Sequence, residues 1–284
     1  MSGLAYLALS GIFSSGVAMI MKVANIKGLK LGQFLAISYL VCSFSLLAWG
    51  DWRTPGLCSL FICSLGVFVG CMYVFSLWLF NRAIATTGLA LSTTLMHLSA
   101  ALPTLGSLIL FSEQASFYQI LGLFITFSCL PLASKKPLRF GRAGKEAWEG
   151  IIWGLLLFAV YGMTNFAFKV QAELEPLADP DGFMLTIFGT ALILTFPQLF
   201  KGTIPDKSCI FWGFVLGTTN VLATYFWIQT LTHLSGAVAF PTLGLGVIAF
   251  TTLASLLIWH EKLSPANYAF LSLAVFAVLL INLG

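Results

Sequence analysis

The chain has 284 residues, of which 59% are hydrophobic and 8% charged, and its mean hydropathy is +0.96. Soluble domains carry about a quarter charged residues, so this composition excludes a chain whose main solvent is water. The formal net charge of +4 is no sign of a nucleic-acid partner, because the lysines and arginines collect between apolar segments, as membrane topology demands.

A membrane-crossing helix needs about 20 mostly apolar residues. In chain order the apolar segments are 3–22, 31–49, 57–80, 88–111, 117–134, 148–169, 182–200, 209–230, 236–259 and 265–283. Runs of this length are helical, since the strands of a membrane barrel would alternate apolar and polar residues. The expected fold class is therefore an all-α integral membrane protein with ten transmembrane helices. The first segment begins at Gly3 with no basic region before it. It is expected to be the first membrane helix rather than a cleaved signal. The cysteines Cys42, Cys58, Cys63, Cys71, Cys129 and Cys209 lie in or beside apolar segments without ligand spacing. They read as small packing residues, with no disulfide framework, metal or cofactor expected.

Loops after odd-numbered helices carry Lys27, Lys30, Arg82, Lys135, Lys136, Arg139, Arg142, Lys145, Lys201, Lys207 and Lys262. Loops after even-numbered helices carry Arg53, and the loop after helix 6 is acidic, with Glu173, Glu175, Asp179 and Asp181. The excess of positive charge places the 135–145 loop in the cytoplasm and both termini outside.

The halves of the chain repeat. At an offset of 148, Gly88 meets Gly236, Thr94-Leu95 meets Thr242-Leu243, Thr104-Leu105 meets Thr252-Leu253, and Ser107-Leu108 meets Ser255-Leu256. Glu113 meets Glu261 and Ser116 meets Ser264, so LFSEQAS at 110–116 answers IWHEKLS at 258–264. Shared apolar composition does not produce matched Gly, Glu and Ser so readily. The chain divides into a first five-helix repeat (1–134), a basic linker (135–147) and a second five-helix repeat (148–284). Five is odd, so the second repeat is inverted relative to the first, an arrangement typical of transporters.

Each glutamate falls after helix 4 or 9, and the serine three residues on is placed to cap helix 5 or 10. Pro265 suits a first helical position. A carboxylate beside a helix N-terminus is favoured by the exposed N–H groups. Glu113 and Glu261 therefore read first as corner-fixing residues and second as gating residues. His260-Glu261 is half of the metalloprotease pattern H-E-x-x-H, which fails because Ser264 holds the fifth position.

Ten helices in two inverted repeats, with a Glu-x-x-Ser corner after the fourth helix of each, resemble the drug/metabolite transporter superfamily, and more narrowly its EamA-type ten-helix branch. The resemblance implies a carrier of amino acids, sugars, nucleotide derivatives or drugs. It also implies a central cavity lined by helices 1, 3, 4, 6, 8 and 9. It places both termini in the cytoplasm, opposite to the loop charges.

Polar groups within lipid are functional candidates. His97 lies nine residues after Gly88, near mid-membrane, on a stripe with Thr93, Thr94 and Thr104. It can bond a solute or move a proton near neutral pH, or simply bond a neighbouring carbonyl. Tyr161, Asn165 and Lys169 recur every four residues in helix 6, matched by Ser14, Ala18 and Lys22 in helix 1. The lysines either hold a solute's carboxylate or phosphate or snorkel at helix ends. Asn81 and Gln229 match at the offset of 148, with Tyr73, Trp78, Asn220 and Tyr225 nearby. Amides and aromatics suit a zwitterionic or aromatic solute. Pro103 and Pro241 are candidate kinks in helices 4 and 9.

Every acidic residue lies in a loop or at a helix end. The four-helix relatives within the superfamily use a glutamate in their first helix for proton exchange, and this first helix has none. The expected activity is alternating-access transport of a small polar metabolite, an amino acid or related solute, by an exporter or facilitator in a bacterial inner membrane. Such a carrier works as a monomer or homodimer and has no catalytic residues. Two alternatives are a flippase or exporter of a lipid-linked sugar or drug, and an intramembrane transferase. The scattered His97, His233 and His260 disfavour the enzyme.

Overall fold

The structure is a computed structural model that describes residues 2–50, 59–103, 105, 116–129, 145–174, 180–202, 204–234 and 236–283. Among the described residues there is no strand. The α-helices are α1 (Gly3–Ile26), α2 (Leu31–Trp49), α3 (Leu60–Thr87), α4 (Leu89–Leu98), α5 (Phe117–Cys129), α6 (Lys145–Leu174), α7 (Pro180–Thr195), α8 (Lys207–His233), α9 (Gly236–Leu257) and α10 (Pro265–Leu283). A 3₁₀ turn, Phe196–Phe200, follows α7 and has Pro197 in its first turn. Proline has no N–H to continue the α-helical ladder.

Each helix coincides with one apolar segment of the sequence. Several outrun it, because backbone hydrogen bonding does not stop where hydropathy falls. α3 continues through Asn81 and Arg82 to Thr87, and α6 starts at Lys145. Among the described residues, six helical segments are long and apolar enough to cross a membrane: Gly3–Ile26, Leu31–Trp49, Leu60–Thr87, Gly150–Gln171, Pro180–Phe200 and Lys207–His233. Leu89–Pro103, Thr242–Leu257 and Tyr268–Leu280 are shorter apolar helices. Phe44, Phe124, Ile193, Phe214 and Phe276 all expose their side chains. So many exposed large apolar groups fit a lipid surround better than water.

The chain forms two compact units, Met1–Trp78 with Ala167–Leu234, and Leu79–Phe166 with Ser235–Gly284. Neither is one half of the sequence: each takes helices from both.

In the first unit α1 packs on α8, and α2 packs on α7 and α8. Two glycine pairs set these crossings. A Cβ added at Gly213 would lie 2.8 Å from the Ile37 side chain, and one at Gly217 would lie 2.5 Å from the carbonyl oxygen of Ser38 and 2.7 Å from Val41. On α3, a Cβ at Gly66 would meet Thr186 at 2.8 Å, and one at Gly70 would meet the carbonyl oxygen of Ile187 at 2.5 Å and Thr190 at 2.8 Å. Without hydrophobic drive between helices in lipid, small residues spaced four apart permit this close backbone approach. The two sets correspond: 66 and 70 map to 213 and 217, and 37, 38 and 41 map to 186, 187 and 190.

In the second unit Leu91, Leu95, Leu98, Phe158, Phe270, Leu271, Ala274 and Val278 form a buried cluster. α4 packs on α9, and α5 on α10. α4 ends in a turn at Ser99 and Ala100 before helical backbone resumes at 101–103. Pro103 cannot donate to the Ser99 carbonyl, and the N–H of Leu102 donates there instead, at 2.9 Å. That substitution of a three-residue for a four-residue bond tightens the helix, as expected near proline.

Candidate functional site

The second unit holds His97, Asn81, Tyr161, Asn165 and Glu261; the first holds Lys22, Tyr73, Trp78, Lys169, Asn220, Tyr225 and Gln229. Glu113, Thr104 and the 135–144 part of the basic linker lie outside the described residues.

Every residue of α4 is buried. Ser92, Thr93, Thr94, His97 and Ser99 are all buried on it. Most of these hydroxyls are satisfied within the helix: Ser92 donates to the carbonyl of Gly88 (2.6 Å), Thr93 to Leu89 (2.9 Å) and Thr94 to Ala90 (2.7 Å). Such back-bonding removes hydroxyls from solute binding. Thr93 also meets Thr251 of α9, oxygen to oxygen at 2.9 Å. His97 differs from its neighbours. It is 8% exposed, and its Nε2 has no hydrogen-bond partner among the described residues. Opposite it on α9 is Gly244, where an added Cβ would lie 3.5 Å from His97 Cβ. A buried polar atom left open is costly, so this nitrogen is the strongest candidate in the unit for meeting a polar guest.

α4 begins under unusual control. Gly88 has φ 89° and ψ 173°, a region that only glycine enters without strain. The N–H of Leu89 then donates to both carboxylate oxygens of Glu261, at 3.1 Å each. The Ser255 hydroxyl donates to the same carboxylate at 2.5 Å. Glu261 therefore caps α4, 172 positions away in the chain, and Ser264 directly precedes α10. The corner backbone is held by the N–H of Glu261 donating to the carbonyl of Ser255 at 3.1 Å, and by His260 at φ 48°.

In the first unit Tyr73 of α3 and Thr224 of α8 join hydroxyl to hydroxyl at 3.1 Å. The Tyr73 ring packs edge-on against Phe188 and Phe168. One turn before Thr224 is Asn220, 6% exposed, whose Nδ2 has no hydrogen-bond partner among the described residues. Tyr225 and Gln229 are half-buried on the same helix, and Trp78 is half-buried on α3. Sequence reasoning singled out Tyr73 and Asn220 but missed Thr224, whose pairing depends on a contact 151 positions away in the chain.

Tyr161, Asn165 and Lys169 are all half-buried on α6, in keeping with one shared face. Lys169 Nζ bonds the Glu173 carboxylate at 3.0 Å, an i,i+4 pair with Glu173 49% exposed. That pair accounts for the lysine without a solute. Asn81 and Lys22 are half-buried.

These features define an all-helical protein in which, among the described residues, six helices are long and apolar enough to cross a membrane, consistent with a multi-pass membrane protein. No family model matches the chain. The chain is similar to an uncharacterized protein of Haemophilus influenzae, with 24% identity over 270 residues covering 90% of this chain and 89% of that one. A solved crystal structure shares the fold, with a TM-score of 0.67, 15% identity and coverage of 98% of this chain and 95% of the other.

Proposed function

We propose that the chain is an alternating-access carrier of a small polar metabolite, an amino acid or related solute, working as an exporter or facilitator in a bacterial inner membrane. In this reading all ten helices span the bilayer as two inverted five-helix repeats of the EamA type. The observation that carries the reading is the doubled glycine packing. Gly66 and Gly70 approach α7 as Gly213 and Gly217 approach α2, the glycines being 147 positions apart and the residues they meet 149. An inverted repeat gives a carrier two equivalent arrangements, one open to each side.

Two buried polar atoms support a solute-binding role. His97 Nε2 and Asn220 Nδ2 lack hydrogen-bond partners among the described residues, and polar groups kept within lipid at such cost usually serve a pathway. The test is flux. Proteoliposomes holding the protein are loaded with mixed amino acids and related polar solutes, and loss of each solute is followed by mass spectrometry against empty liposomes. Selective loss of one chemical class supports the reading, and no loss of any solute class opposes it.

A further inference from the structure

Glu261 grips the helix that carries both His97 and Thr93. The first N–H of α4, that of Leu89, lies between its two carboxylate oxygens, at 3.1 Å from each. The carboxylate is itself aimed by the Ser255 hydroxyl of α9, and its backbone N–H is tied to the Ser255 carbonyl. One turn along α4, the Thr93–Thr251 hydroxyl pair makes a second polar link to α9. Ser92 bonds the carbonyl of Gly88 and pairs with the Thr87 hydroxyl at 2.9 Å, and Thr94 bonds within α4. α4 is thus held on α9 by two polar clamps, and His97 stands one turn beyond the second. A helix turns 100° and rises about 1.5 Å per residue. Slack at Leu89 would therefore displace the imidazole both around and along the axis.

We propose that Glu261 is a positioning residue for the solute contact on α4, acting through the Leu89 N–H to fix the depth and rotation of His97. This rests on the carrier reading above. A charged acceptor at the N-terminus suits the role, since it satisfies an N–H that the helix itself cannot and also meets the positive end of the helix dipole.

The experiment places cysteines at 93 and 251 in the full chain in native membranes and measures the rate of oxidative cross-linking, with the 93–251 peptide pair identified by mass spectrometry. The facing oxygens at 2.9 Å make this pair cross-link readily with Glu261 in place. Glu261→Ala slows the reaction about tenfold, the scale of a lost cap. Glu261→Gln, whose Oε1 still accepts from Leu89, stays within about threefold of the parent. In flux, Glu261→Ala raises the solute concentration for half-maximal transport more than it lowers maximal flux per folded molecule. If the alanine variant does not accumulate, Glu261→Asp, with its carboxylate drawn back by one methylene, shows the same slowing. An unchanged cross-linking rate in the alanine or aspartate variant overturns the proposal, as does a glutamine variant as slow as alanine. If no solute moves through the parent protein while the cross-linking rates shift as stated, the carrier reading fails and the positioning of α4 stands.

Discussion

Glu261 and Leu89 are separated by 172 positions in the chain, yet the carboxylate of one receives the N–H of the other on both oxygens. The contact joins the corner between α9 and α10 to the start of α4. Loss of such a cap costs about 1–2 kcal/mol. Glu261→Ala is accordingly expected to lower the melting temperature of the detergent-solubilised protein by several degrees, read by tryptophan fluorescence. Glu261→Gln is expected to lose less than half as much.

Gly88 stands immediately before that capped amide, and its φ of 89° and ψ of 173° admit no other residue cheaply. Gly88→Ala is expected to destabilise by about 1–3 kcal/mol and to increase cleavage near the α3–α4 junction in limited proteolysis. An unchanged cleavage pattern would mean that α4 begins some other way.

His260 occupies the left-handed region at φ 48° on an exposed corner. Its side chain meets a steric penalty there that glycine avoids. His260→Gly is expected to leave flux unchanged and to hold or raise the melting temperature, with a gain below about 1 kcal/mol.

The glycines separate into two classes. At Gly70 and Gly217 an added Cβ would lie 2.5 Å from a backbone oxygen, whereas at Gly189 and Gly246 nothing lies within 4 Å. Gly70→Ala and Gly217→Ala are expected to cost about 1–3 kcal/mol each by overpacking. Gly189→Ala and Gly246→Ala are expected to be neutral or slightly stabilising. Similar losses at 70 and 217 would also fit the equivalence of the two crossings, and thermal unfolding of the four variants side by side measures both points.

Helix positions were legible in the sequence because apolar runs of membrane length leave little choice of secondary structure. Leu31–Trp49 and Pro265–Leu283 coincide with the segments read from hydropathy. The helix end at Thr87 was not, since the backbone of Gly88 sets it. The polar stripe of α4 was visible, but its chemistry was not. Thr94 turns its hydroxyl to its own backbone and Thr93 shares its hydroxyl with Thr251, while His97 Nε2 finds no hydrogen-bond partner among the described residues. The Glu-x-x-Ser corner was conspicuous as a motif. Its target was invisible, because the carboxylate reaches α4 rather than the helix next in sequence. The Gly66/Gly70 and Gly213/Gly217 pairs were present in the sequence as small residues four apart. They become informative only when the residues facing them are known.

The proposed function has the chain move a small polar solute past His97. The most direct test compares metabolites inside and outside cells overproducing the protein with those of cells producing His97→Ala at equal folded level. The expected result is outward accumulation of one class of polar metabolite, cut by about five- to tenfold in the variant, the scale of one lost hydrogen bond. Equal accumulation with and without the imidazole would remove His97 from the path, and no accumulation in either case would contradict export of a small polar solute.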